Sequence, residues 1–120
     1  MNGPERADEL VAEIAFHVGE TVIVTADPLE IPPALSAGRP VVAVQPPEIS
    51  YPTHYAAEAT WELFVIAGPY ADQRAAWETI AGIIDTLTRP LSIDTAKPAS
   101  FAAPSMPEYP AYILTFTETT

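Results

Sequence analysis

The residues of this chain best suited to acid–base chemistry are two histidines, His17 and His54, and two carboxylates four positions apart, Glu58 and Glu62. A hydrolase needs a nucleophile within reach of a base that a further group orients. Neither histidine stands at such a spacing from a serine or an acid. His17 reads as a helix-surface residue and His54 as a loop residue beside Tyr51 and Tyr55, with an interface contact as the alternative for each. Glu58 and Glu62 share one face of an extended segment, which puts their α-carbons ~13 Å apart at about 3.3 Å per residue, too far for a glycosidase pair. They read as surface carboxylates. No Gly-rich phosphate loop, no metal-spaced cluster of His and acids and no basic–aromatic platform occurs. The expectation is a chain with no catalytic, metal or cofactor-binding residues, and so not an enzyme.

Composition narrows the classes further. There is no cysteine, so disulfides, zinc–thiolate sites and thiol nucleophiles are excluded. Five basic residues against sixteen acidic ones give a formal charge of −11. The bases Arg6, Arg39, Arg74, Arg89 and Lys97 are scattered singly, and nothing can neutralise a run of phosphates. Such acidity serves solubility or forms a functional negative surface. The apolar runs, such as Leu63 to Gly68, are far too short for a membrane span. Arg6 stands alone among Glu5, Asp8 and Glu9, so no secretory leader is expected and the protein reads as made in the cytosol and not exported. A hydrophobic fraction of 48% in 120 residues predicts one folded domain over 1–120.

The elements that must position these residues follow from periodicity. Ala7, Leu10, Val11, Ile14 and Val18 recur at three and four, predicting a helix from Glu5 to Val18 stopped by Gly19. The β-branched run Thr21 to Thr25 predicts a strand ending at Asp27-Pro28. Ile31-Pro32-Pro33 and Gly38-Arg39 predict a loop with at most a short turn at Ala34 to Ala37. Val41 to Val44 reads as a second strand, and the proline-bearing stretch Glu48 to Tyr55 as an edge or a projecting loop. Ala57 to Ile66 is the clearest strand, with Trp61, Leu63 and Val65 on one face and Phe64 and Ile66 on the other. Its end must be covered on both sides, by a helix or by a neighbouring subunit.

Asp72 is a predicted N-cap for a helix with Ala76, Trp77, Ile80, Ile83, Ile84 and Leu87 on a broad apolar face, ending at Arg89-Pro90. Trp61 and Trp77 are expected to pack together in the core. Leu91 to Asp94 reads as a short strand. Thr95 to Pro110 reads as an ordered loop or an irregular edge strand near Ser100 to Ala103, and Tyr112 to Thr117 as a central antiparallel strand. The order predicts an α+β fold, a mostly antiparallel mixed sheet with two helices packed on one face. Fourteen prolines, concentrated in Pro28 to Pro52 and Pro98 to Pro110, hold loops with Tyr51, His54, Tyr55, Phe101 and Tyr109 stiffly exposed. These five are the expected partner-facing residues, unless the loops are merely stiff connections.

Several stretches carry a family resemblance: Ala59-Thr60-Trp61-Glu62-Leu63-Phe64-Val65-Ile66-Ala67-Gly68, Ala75-Ala76-Trp77, Arg89-Pro90-Leu91-Ser92-Ile93-Asp94, Pro98-Ala99-Ser100-Phe101 and Tyr109-Pro110-Ala111-Tyr112. Over nearly its whole length the chain resembles the tail terminator proteins of long-tailed phages infecting actinobacteria. The resemblance implies a mixed sheet with helices on one side. It also implies a sixfold ring that caps the last ring of the tail tube, stops its polymerisation and docks the head connector. The implied partners are five further copies of the chain, the major tail tube protein and a head–tail connector or stopper. Genomic DNA would pass through the bore, with no membrane involved. The implied location is the neck of the virion, assembled in the bacterial host cytoplasm. Phe64, Ile66 and Tyr112 are the expected subunit-interface residues. Another neck component, an adaptor or stopper, is the nearer alternative, and a small acidic ligand-binding or regulatory protein the more distant one.

Overall fold

A computed structural model of the chain describes residues 3–53 and 56–119. Helix α1 covers Gly3–Val18 and buries Leu10 and Ile14, the centre of the predicted apolar stripe. It stops at Gly19, whose φ of 83° is the left-handed conformation that closes a helix and favours glycine. Strand β1, Ile23–Thr25, begins two residues later than the β-branched run suggests.

The segment expected to be a loop instead contains a helix. Asp27 Oδ1 accepts the Leu29 N–H at 3.0 Å and caps a 3₁₀ turn at Pro28–Glu30, which runs directly into α2, Ile31–Ser36. Pro32 and Pro33 fall in the first turn, where backbone N–H groups have no helical acceptor, so they cost the helix little. Gly38, with φ 76°, ends it, and Arg39 N–H returns to Ala34 O at 3.0 Å.

Strand β2 is Val41–Val44, β3 Glu48–Thr53, β4 Ala56–Ile66, β5 Thr95–Phe101 and β6 Tyr109–Thr119; helix α3 is Gln73–Leu91. Asp72 caps α3 as predicted, its Oδ1 accepting Ala75 N–H at 3.1 Å. Pro90 does not end the helix. It lies in the last turn, buried Leu91 follows it, and Ser92 in the left-handed conformation makes the cap. The predicted strand at Leu91 to Asp94 is therefore helix end and turn. The edge strand lies at Thr95–Phe101, earlier than the stretch Ser100 to Ala103 considered for it.

The strands form one mixed sheet in the order β1-β2-β4-β6-β5, with β3 pairing the first half of β4 on the side where β2 pairs its second half. Only β1–β2 is parallel. The fold is α+β, and β6 is central and antiparallel, as its lack of interruption after Pro110 predicts.

Both long helices lie on one face. There Leu10 and Ile14 of α1, and Ile80, Ile83 and Leu87 of α3, enclose Val42, Val44, Trp61, Leu63, Val65, Leu114 and Phe116. The opposite face is covered only at one end, where Ile31, Ala34 and Leu35 of α2 close a second core over Val41, Ala43, Ile66, Tyr109 and Ala111. No helix among the described residues is long and apolar enough to cross a membrane.

Candidate interaction surfaces

Strand β3 is exposed at all six of its residues and packs appreciably only on β4. Gln45, Pro46 and Pro47 separate it from β2, so the β3–β4 hairpin forms an arm at one end of the sheet. The arm fits an elongated body of 49 × 28 × 24 Å and a radius of gyration of 14.5 Å, against about 13.5 Å for a rounded domain of this length. Tyr51 is 73% exposed on it. His54 and Tyr55, expected beside it as partner-facing, lie outside the described residues.

The other two expected partner-facing aromatics are not free. Tyr109 is buried, because β6 begins there and turns its ring into the α2 core; Tyr70 meets it edge-on at 5.7 Å. A Cβ on Gly68 would stand 3.4 Å from the same ring, an ordinary van der Waals contact. Phe101 pairs with Tyr109 across the strands and is half-buried against that core. Proline density signalled stiffness at these positions, but the apolar residues that gather with them come from α2, β2 and β4, with Tyr70 against Tyr109, and periodicity alone did not reveal that cluster.

The expected subunit-interface residues also divide. Ile66 is fully buried within its own subunit beneath α2, so a neighbour cannot reach it. Of the two covers considered for this end of β4, the helix supplies it. Phe64 is half-buried at the margin of that core, directly opposite Ile113 of β6, where the uncovered part of the sheet begins. Tyr112 is half-buried on the helix face.

Trp77 departs furthest from expectation, at 50% exposed rather than in the core. The buried line of α3 runs Ala76, Ile80, Ile83, Leu87 and Leu91, and Trp77 lies about 100° round from Ala76 on the flank. It borders a groove of about 360 Å³ between the start of α3 and strands β5 and β6, with Arg74, Pro98, Pro110 and Tyr112. Phe16, 83% exposed beside His17, is a further surface aromatic that the sequence reading did not single out.

Trp61 is fully buried and is held by charge rather than by Trp77. Its Nε1–H donates to Glu118 Oε2 at 3.1 Å, and Arg6 Nε donates to the same carboxylate at 3.1 Å. Arg6 also reaches Glu9 at 3.1 Å and Glu13 at 3.9 Å, so one guanidinium ties α1 to the last strand. The hydrogen bond from Arg6 lowers the Glu118 pKa below the ordinary glutamate value and outweighs the opposing effect of partial burial; the charge of Arg6 and the Trp61 N–H add to the lowering. The arrangement neutralises a half-buried acid and fixes the indole.

Glu58 and Glu62 sit on the face away from the long helices, their strand positions paired with Thr119 and Thr115. Among the described residues no group of three or more His, Asp or Glu side chains is placed to hold a metal ion. No protein-family model matches the chain, and no curated protein matches it.

Proposed function

We propose that the chain is a structural virion subunit of the tail terminator kind. In this reading copies of it close a ring on the end of the phage tail tube, stop tube polymerisation and present the docking surface for the head connector. The observation that carries the reading is the β3–β4 arm, six consecutive exposed strand residues that include Tyr51 at 73% exposure and pair with β4. An exposed strand edge of this length is stable against aggregation only when something covers or blunts it, and assembly covers it. The sequence resemblance, and a sheet with both long helices on one face, support the same reading.

Under this proposal the subunit contacts draw on Phe64 and Tyr112, since Ile66 is spent on the subunit's own core. The axial partners are the major tail tube protein on one side and the connector or stopper on the other. A formal charge of −11 keeps the passing genome from adhering to the bore. The working place is the neck of the virion after assembly in the bacterial cytoplasm.

Native mass spectrometry, or a reconstruction of the upper end of the tail, tests the proposal. Six copies are expected. Twelve would move the chain to the adaptor position, and a strictly monomeric chain in intact particles would remove it from ring formation altogether.

A further inference from the structure

We propose that the β3 arm of one copy adds to the free edge of β5 in the next copy, so that a single antiparallel sheet runs from subunit to subunit. This rests on the ring-forming reading above and names the two edges that meet. In the sheet order β5 is the last strand on one side, and β3 borders β4 on the other. Among the described residues no strand pairs the outer side of β5, nor that of β3 from Glu48 to Tyr51.

Strand direction permits the join. β3 is antiparallel to β4, β4 to β6 and β6 to β5, so β3 and β5 run in opposite directions. A rotation about an axis along the strands then brings β3 of one copy antiparallel to β5 of the next and keeps the helices of both on the same side. The contact is head-to-tail, using two different patches, which is the kind that generates rings.

Side-chain facing and charge select the partner. Glu48 pairs with Thr60, and Lys97 pairs with Ile113, which puts both on the face away from α1 and α3. Ile49 pairs with Ala59 and Pro98 with Tyr112, which puts both on the helix face. Joining the edges therefore brings Glu48 opposite or diagonal to Lys97. It also brings Ile49 alongside Pro98 at the rim of the Trp77 groove.

Lys97 is the sole basic residue on any strand of the described chain, is exposed, and has no ion pair among the described residues. Two copies each carrying −11 repel except where a cation meets an anion, and this edge supplies the cation. Pro52 and Pro98 carry no N–H, so neither can donate to the ladder and the backbone bonds across the join come from the residues beside them.

The chain has no cysteine, so a designed disulfide reports this contact without background. The variant pair Glu48→Cys with Lys97→Cys, and the neighbouring register Ser50→Cys with Lys97→Cys, are oxidised at assembling concentration and resolved on denaturing gels. A covalent ladder ending at one fixed size is expected from at least one pair. Lys97→Glu should raise the concentration for half-assembly about tenfold, and adding Glu48→Lys should restore it. All these positions are exposed, and circular dichroism checks that each variant folds. If the wild type assembles at a fixed copy number while neither pair cross-links and Lys97→Glu assembles normally, the edge contact is wrong and the ring reading stands. A wild-type chain that remains monomeric at every soluble concentration overturns both. Cross-linking to a tail or connector protein instead of to itself assigns the edge to that partner and overturns the self-contact.

Discussion

Glu118 accepts the indole N–H of Trp61 and the Nε–H of Arg6, each at 3.1 Å, so the last strand, the central strand and the first helix meet at one carboxylate. The residues lie 57 and 112 positions apart in the chain. The contact therefore closes the fold across nearly its whole length.

Removing that carboxylate leaves a buried indole N–H and a half-buried cation without their acceptor. Glu118→Ala should cost about 1–2 kcal/mol. Glu118→Gln, which keeps an acceptor oxygen, should cost less. Urea unfolding followed by circular dichroism measures both, and equal losses would show that acceptor geometry is irrelevant.

The same carboxylate predicts an acid sensitivity. Its folded pKa is depressed, first through the hydrogen bond from Arg6. Its stabilisation is therefore fully present above the unfolded carboxyl value of about 4.3, and is lost as pH falls through the lower folded value. Stability compared at pH 7 and pH 3 should fall less in Glu118→Gln than in the wild type. An identical fall in both would mean that other carboxylates govern acid unfolding.

The two tryptophans should behave in opposite ways. Trp61→Ala removes a fully buried ring and should cost roughly 3–5 kcal/mol. Trp77→Ala acts on a half-exposed flank and should cost under about 1 kcal/mol. Iodide should quench the fluorescence of Trp77 far more than that of Trp61, measured in the single-tryptophan variants Trp61→Phe and Trp77→Phe. Equal quenching would contradict the placement of Trp77 on the surface.

Neighbouring positions on β4 should separate core from surface. Ile66→Ala empties part of the α2 core and should cost about 2–4 kcal/mol. Phe64→Asp should leave the subunit folded, with a smaller loss, while weakening assembly. Thermal melts read the first quantity and size-exclusion chromatography the second. An unfolded Phe64→Asp chain would place Phe64 in the core.

Local signals located most elements. The stripe of Leu10 and Ile14, the Asp72 cap and the alternation through Trp61, Leu63 and Val65 appear where periodicity and capping chemistry put them. The signs of α2 were also present, in the Asp27-Pro28 cap and in Ile31, Ala34 and Leu35 at helical spacing. Prolines in the first turn masked them, because a proline that would break a helix interior is harmless there.

The sequence by itself therefore determined the α+β class, the strongly acidic surface, the lack of cysteine chemistry and which face of each long element is apolar. Those properties depend on residue type and on spacings of two, three and four. Tertiary structure decided which apolar residue is actually covered. Ile66 and Tyr109 are buried in the core that α2 closes, with Tyr70 against the Tyr109 ring, whereas Trp77 stays open on the flank of α3. It also decided that Glu118 would hold Trp61, a contact between side chains with no local relationship in the chain. Burial is a property of what arrives from elsewhere in the chain, and periodicity reports only what each segment offers.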